Sequence, residues 1–225
     1  MIIACTGASY SAKTTFAETL KKLYPDVVRQ HEIEIDKKYE DAEIRTANGL
    51  SIDQIRQNPY LYFSWEKAII LKKIEQEKKA ALQYQCYNTN SVVVFERSLA
   101  DSFYYLTRYV DTSLFDDSQL KEYNDFVEDL VNIASHHYRY IYDFVLIFKP
   151  IPFDKLSCER RSRTLKQDHI KEYYTIKILN HGFMPPYFTN KFISVDIGSV
   201  EIEQIDSYVS QIFQSLKTRY NSISI

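Results

Sequence analysis

Eight residues near the start of the chain, Gly7-Ala8-Ser9-Tyr10-Ser11-Ala12-Lys13-Thr14, have the types and spacing to hold phosphate. An apolar run, Ile2-Ile3-Ala4-Cys5-Thr6, precedes them, and a helical pattern follows. A loop between a strand and a helix turns successive backbone N–H groups toward phosphate oxygens, and the helix N-terminus adds the positive end of its dipole. In such a loop the Lys13 ammonium reaches the β- and γ-phosphates and the Thr14 hydroxyl binds Mg²⁺. Gly7 through Thr14, with Thr15 next to them, are therefore the expected ATP-binding residues.

The order G-x-x-x-x-A-K-T resembles the Walker A, or P-loop, pattern, with Ala12 standing where a second glycine is usual. Glycine lets the backbone approach phosphate closely and permits a positive φ. A negative φ at Ala12 would make the methyl group nearly free, whereas a positive φ would strain or reshape the loop. A second group of chemistry-bearing residues, Phe95-Glu96-Arg97-Ser98, follows directly on an apolar run. In open α/β sheets ligands gather outside the carboxyl ends of strands, so Glu96 is placed to hold Mg²⁺ or its water shell and Arg97 to meet substrate oxygens. The plainer alternative is a surface ion pair that caps the next helix.

Glu32 and Glu34 lie just past Val27-Val28, where one of them can take a proton from a substrate hydroxyl or hold an acceptor. With Asp36, Glu40 and Asp41 nearby, a solvated acidic face is an equal reading. Arg160, Arg161 and Arg163, flanked by Lys155 and Lys166, form a basic segment suited to closing over a phosphate chain and excluding water, or else an exposed loop. Tyr60, Tyr62, Phe63 and Trp65 are expected mainly in the core, with one of them a candidate for stacking on a base. His136-His137 lacks partners at metal spacing and reads as helix surface or a complement to a helix C-terminus.

These residues must be positioned by alternating elements. Apolar runs at 2–6, 26–30, 91–95, 143–148 and 192–195 read as strands, and helical patterns cover 14–23, 59–84, 99–109, 118–137, 168–180 and 200–217. Val92-Val93-Val94-Phe95 shows no polar alternation, the mark of a strand buried on both faces in a parallel sheet. The expected fold is α/β: a three-layer arrangement with a parallel sheet of about five strands, helices on both faces and an Arg-rich lid at about 150–168. No repeat or boundary divides the 225 residues, so a single domain is expected.

The chain is 45% hydrophobic and 26% charged, and its 28 Lys+Arg against 30 Asp+Glu give a formal charge of −2. No net positive field exists to attract a phosphate backbone or an anionic membrane, so nucleic-acid coating and membrane binding are not expected. Cys5, Cys86 and Cys158 lie far apart, which argues against a disulfide framework or a structural zinc site. The N-terminal run is too short for a signal peptide, and nothing approaches the ~18 apolar residues of a membrane span. A reducing, cytoplasmic setting is expected.

The loop at Gly7–Thr14, Glu96-Arg97-Ser98 and the Arg-rich segment together resemble the P-loop nucleoside and nucleotide kinases. The likeness is to the deoxynucleoside kinase and thymidylate kinase group, with related small kinases of the nicotinamide-riboside type. Deoxynucleoside kinases carry E-R-S at the end of the third strand, an Asn/Asp-Pro entry to a long helix (here Asn58-Pro59), an acidic residue after the second strand and R-x-R in the lid (here Arg161-Ser162-Arg163). Their base-reading glutamine has no counterpart here, since Glu66 and Lys67 occupy the vicinity.

The resemblance implies a phosphotransferase of nucleotide metabolism using ATP with Mg²⁺. Lys13, Arg161 and Arg163 would stabilise the moving phosphoryl group, Thr14 and Glu96 would hold the metal, and Glu32 or Glu34 with Arg97 would position a nucleoside or nucleoside monophosphate. It leaves the acceptor and the oligomeric state, a homodimer included, open. The rival readings are a P-loop NTPase without a small acceptor and a nucleotide-binding regulator without catalysis, which Ala12 favours. A guanine-reading N-K-x-D segment is missing, because Asn190-Lys191-Phe192-Ile193 lacks the Asp. A kinase acting on nucleic-acid ends is disfavoured by the charge balance.

Overall fold

A strand that is apolar at consecutive positions can be satisfied only with packed layers on both sides of it. The computed structural model, which describes residues 1–31, 50, 52–87, 91–157, 166–184 and 190–223, places such a strand at the centre. All six residues of β1 (Ile2–Gly7) are buried. From β1 the chain passes through the loop into α1 (Lys13–Leu23), β2 (Val28–His31), a short α2 (Ile52–Arg56) and the long α3 (Pro59–Tyr87). It continues through β3 (Val92–Glu96), α4 (Leu99–Tyr109), α5 (Asp117–Tyr140) and β4 (Phe144–Phe148), then α6 (Lys166–Gly182), β5 (Phe192–Val195) and α7 (Ile205–Ile223).

The described strands form a five-stranded parallel sheet in the order β2-β3-β1-β4-β5. Ile3 lies opposite Val94 on one side and Phe144 on the other. The two-residue period of each strand divides its side chains between two cores. Ile3, Cys5, Val94, Leu146 and Phe148 pack with Phe16 and Leu20 of α1 and with Val209 and Phe213 of α7. Ile2, Ala4, Val93, Phe95 and Val145 pack on the other face with Ile70 and Ile74 of α3, Leu99 of α4 and Leu130 and Ala134 of α5.

The expected α/β three-layer architecture is thus present. The connection from β1 leads to β2 on the far side of β3, and that from β3 leads to β4 on the far side of β1, so the strand order reverses between these neighbours. A crevice opens outside the carboxyl ends of strands at such a point. Both segments expected to hold phosphate and metal, Gly7–Thr14 and Glu96-Arg97, leave the sheet there. Among the described residues no helix is long and apolar enough to cross a membrane.

Three local expectations are corrected. The last helix starts at Ile205 rather than at 200, after two 3-10 turns, Ile197–Ser199 and Ile202–Gln204. Gly198 in the first of them lies so close to the Ile151 backbone that a Cβ would come within 2.9 Å of the Ile151 Cα. The helix α2 had no clear signal in its charged surroundings. His137 is not on the helix surface but wholly buried, with Nδ1 donating to the Ile133 carbonyl at 2.9 Å and Nε2 lying 3.6 Å from Glu77 Oε2.

Burial pulls the His137 imidazole below its ordinary value, against the opposing attraction of Glu77, and Lys78 and His136 lower it further. Below about pH 6.5 the unfolded chain therefore takes up a proton that the folded chain resists, and stability drops as the pH falls through that value. Thermal unfolding followed by circular dichroism between pH 7.5 and 5.5 should show a steeper loss of Tm in the wild type than in His137→Gln.

Candidate active site

The loop after β1 is held in a shape that most side chains resist. Gly7 has φ of 141°, and a Cβ there would stand 2.6 Å from the Phe148 carbonyl oxygen, so only glycine fits. Tyr10 and Ala12 have φ of 57° and 63°, both left-handed. The alanine at the departure from the usual pattern therefore keeps a glycine-like backbone and bears the strain of a methyl group in it, roughly 1–2 kcal/mol. Ala12 is also the N-cap of α1 and supplies no side-chain cap, so the first amides of the helix are left for another acceptor.

Lys13 folds back over the loop. Its Nζ donates to the carbonyls of Gly7 at 2.8 Å and Ala8 at 2.7 Å and lies 3.2 Å from Ser11 Oγ. Burial lowers the ammonium from the usual lysine value, and Arg97 pushes the same way, while Asp101 and Glu172 pull it back. Thr14 donates its hydroxyl proton to Glu96 Oε2 at 2.7 Å, joining the start of α1 to the end of β3. Thr15 is exposed beside it. A hydroxyl and a carboxylate oxygen side by side are the hard donors that a Mg²⁺ ion carrying phosphates takes from a protein, so these residues fit the expected metal.

Arg97 keeps its N–H on the Cys5 carbonyl at 2.7 Å while its φ swings to 85°, and its guanidinium lies 5.2 Å from the centre of the Tyr105 ring. Tyr105 on α4 donates to Glu172 Oε1 on α6 at 2.9 Å, and the same oxygen accepts the Ser9 N–H and lies 3.0 Å from Ser9 Oγ. Glu66 on α3 accepts the Tyr62 hydroxyl at 2.5 Å. Burial raises the Glu66 carboxyl, and Arg97 and Arg56 act against that rise. The side of the loop facing α3, α4 and α6 thus carries both arginine charge and half-buried carboxylate.

A further carboxylate fastens these segments. Asp101 is 1% exposed. Its Oδ2 accepts from Thr6 Oγ1 at 2.6 Å and from the Ser98 N–H at 2.8 Å, and its Oδ1 accepts from the Gly7 N–H at 3.2 Å. Ser98 caps α4, with Ala100 N–H donating to its hydroxyl oxygen at 3.1 Å. Around it, Tyr138 of α5 donates to Ser98 Oγ at 2.8 Å, and Asn180 of α6 donates to Thr6 Oγ1 at 3.0 Å.

The structure therefore brings Gly7 to Thr15, Glu96 and Arg97 together at adjacent strand ends. Glu32, Glu34, Arg160, Arg161 and Arg163 lie outside the described residues. Lys155 donates to the Gly198 carbonyl at 3.3 Å. Tyr62, Phe63 and Trp65 are buried in the core, and Tyr60 donates to Glu122 at 2.6 Å. Lys191 donates to the carbonyls of Tyr138, Arg139 and Tyr142, closing the end of α5 rather than reading a base. Sequence reasoning missed Asp101, Tyr105 and Glu172. The S-x-x-D spacing of Ser98 and Asp101 was a visible helix-start signal, whereas nothing local marks Glu172.

The five-stranded parallel sheet in this order, flanked by helices, is a fold like that of the P-loop kinases. The sequence matches no protein-family model and no curated protein. Among solved structures it is similar to thymidylate kinase from Candida albicans, with 16% identity over 98% of this chain and 92% of that one and a TM-score of 0.54. It also aligns with deoxyadenosine kinase from M. mycoides with bound dCTP, at 15% identity over 96% of this chain and 100% of that one, with a TM-score of 0.49. At 16% identity the likeness to the thymidylate kinase shows the fold alone.

The loop geometry sets opposite outcomes for two small substitutions. Gly7→Ala should destabilise the protein by about 2 kcal/mol or more, while Ala12→Gly should stabilise it by up to about 1 kcal/mol, both read from urea unfolding. Asp101→Asn replaces an acceptor oxygen with a donor facing other donors and should cost about 3 kcal/mol, measured the same way.

Proposed function

We propose that the chain is an ATP-dependent kinase that transfers the γ-phosphoryl group to a nucleoside or a nucleoside monophosphate. The observation that carries this reading is the Thr14 hydroxyl on the Glu96 carboxylate at 2.7 Å, beside a loop whose lysine lies across it. A bare phosphate-binding turn has no use for a carboxylate at the neighbouring strand end. A phosphoryl-transfer site does.

On this reading Gly7 to Thr15 cradle the ATP phosphates, and Thr14 and Glu96 would hold Mg²⁺, whose charge neutralises the phosphate oxygens. Lys13 exchanges neutral carbonyl partners for phosphate oxygens, a stronger charge-assisted bond. Arg97 supplies positive charge on the acceptor side, and the Tyr105–Glu172 pair offers a donor and an acceptor for a sugar hydroxyl. Glu32 or Glu34 takes the proton of the attacking hydroxyl, and Arg161 and Arg163 spread the charge of the transferring group while excluding water. Transfer of this kind depends on positioning and electrostatics more than on covalent chemistry. Such an enzyme works in the cytoplasm, where its nucleotides are.

The test is ADP release from ATP·Mg²⁺ in the presence of individual nucleosides and nucleoside monophosphates. Turnover dependent on one acceptor class is the expected result, and turnover independent of any acceptor would assign the protein as an NTPase. Lys13→Ala should lower acceptor-dependent turnover on the order of 10²–10³-fold with an unchanged Tm. Full activity in that variant refutes the kinase reading.

A further inference from the structure

Beneath the site lies a buried ionic group that none of the proposed chemistry uses. Lys73 on α3 is 1% exposed and Glu77, one turn later, is 0% exposed, with Nζ and Oε1 separated by 2.6 Å. Tyr142, immediately before β4, donates to Glu77 Oε2 at 2.7 Å, and the neutral face of His137 closes the other side. The Lys73 ammonium also stands 5.6 Å from the centre of the Phe95 ring. Its remaining bond, at 2.8 Å, is to the backbone carbonyl of Arg97.

A buried ion pair is a poor source of net stability, because desolvating two charges offsets their attraction, and apolar replacements of both are often neutral. What this pair does have is a particular target. Arg97 occupies a left-handed conformation without being glycine, a state that persists only where the surroundings over-determine it. Two backbone bonds do so: the N–H to the Cys5 carbonyl, which continues the sheet, and the C=O to Lys73. The first leaves φ and ψ of Arg97 free to relax. The second fixes the following peptide plane, and with it the direction in which the side chain leaves the strand end.

We infer that Lys73 is a positioning residue for Arg97: the Glu77- and Tyr142-anchored ammonium holds the Arg97 carbonyl and so keeps the guanidinium over Tyr105 at the acceptor side of the site. Its catalytic consequence rests on the reading of Arg97 as the acceptor-side cation, whereas its structural content does not. Glu77 and Tyr142 orient Lys73 in turn, so the site is supported from the core beneath the sheet edge of β3 and not only from the loop.

Lys73→Met alone would strand a buried carboxylate and Glu77→Gln a buried ammonium, so the variant of choice is K73M/E77M, compared with Tyr142→Phe, which removes a donor from Glu77 and keeps the ion pair and its bond to the Arg97 carbonyl. The structural readout is the Arg97 Nε–Hε resonance in a ¹⁵N-arginine-labelled protein, identified by its loss in Arg97→Lys. K73M/E77M should shift or broaden that resonance while the other arginine resonances stay in place, and Tyr142→Phe should move it less. The functional readout is ADP release with ATP·Mg²⁺ and whichever of the natural deoxynucleosides or their monophosphates the wild type turns over best. There K73M/E77M should raise the acceptor KM or lower kcat about tenfold, leave the affinity for a fluorescent ATP analogue within twofold, and add little to Arg97→Ala. An unmoved Arg97 resonance in folded K73M/E77M overturns the inference. A moved resonance with Arg97→Ala fully active leaves the positioning intact and overturns the acceptor role of Arg97 instead.

Discussion

One buried carboxylate organises the working end of this protein. Asp101 takes hydrogen bonds from Thr6 and Gly7 at the end of β1 and from Ser98 at the end of β3, and it is itself the third residue of the helix that Ser98 caps. Two neighbouring strands and one helix N-terminus are thereby locked to a common pair of oxygens. The positive end of the helix dipole attracts a carboxylate placed in the first turn. Without such a lock the loop and Glu96-Arg97 would leave the sheet independently, and their relative position to within fractions of an ångström would be lost. Asn180 and Tyr138 extend the same network into α6 and α5, so the helices that cover the site are tied to the strands that build it.

Backbone strain is concentrated where that lock can support it. Among the described residues, the non-glycine positions with left-handed φ are Tyr10, Ala12 and Arg97, all of them at the carboxyl ends of β1 and β3. Each is held by a neighbour rather than by its own preference. The Tyr10 carbonyl receives the Ile151 N–H at 3.4 Å, the Ala12 carbonyl receives the Phe16 N–H at 3.0 Å and the Arg97 carbonyl receives Lys73. Ala12 is instructive, because the side chain that departs from the usual loop pattern leaves the loop's conformation as a glycine would have it. The departure is carried as local strain in a left-handed backbone.

The elements were legible because their signals are local. Val92 to Phe95 and Phe144 to Phe148 are apolar without alternation, so burial on both faces followed directly, and parallel pairing with covering helices is the arrangement that supplies it. The helix expected at 99–109 lies at Leu99–Tyr109, and Ser98 and Asp101 form the capping box at its start. Where a bound slipped, as before Ile205, the chain first makes two 3-10 turns that the apolar pattern does not distinguish from helix. His137 was misread because two histidines at the end of a charged helix look solvated until Glu77 and Tyr142 are found against one of them.

The sequence by itself determined the order of the strands and of the long helices between them, the loop that resembles a phosphate-binding turn and the acidic and basic residues that end β3, because periodicity, caps and short motifs are properties of neighbours in the chain. Only the tertiary structure decided that Ala12 is left-handed, that Thr14 meets Glu96 across 82 positions, and that Glu172 and Lys73 come to the loop and to Arg97 from helices far along the chain. These are long-range bonds whose geometry is fixed by how the helices pack on a twisted sheet. Sequence spacing can place a residue on a helix. Which end of which strand that helix then faces is settled by the packing of the whole core.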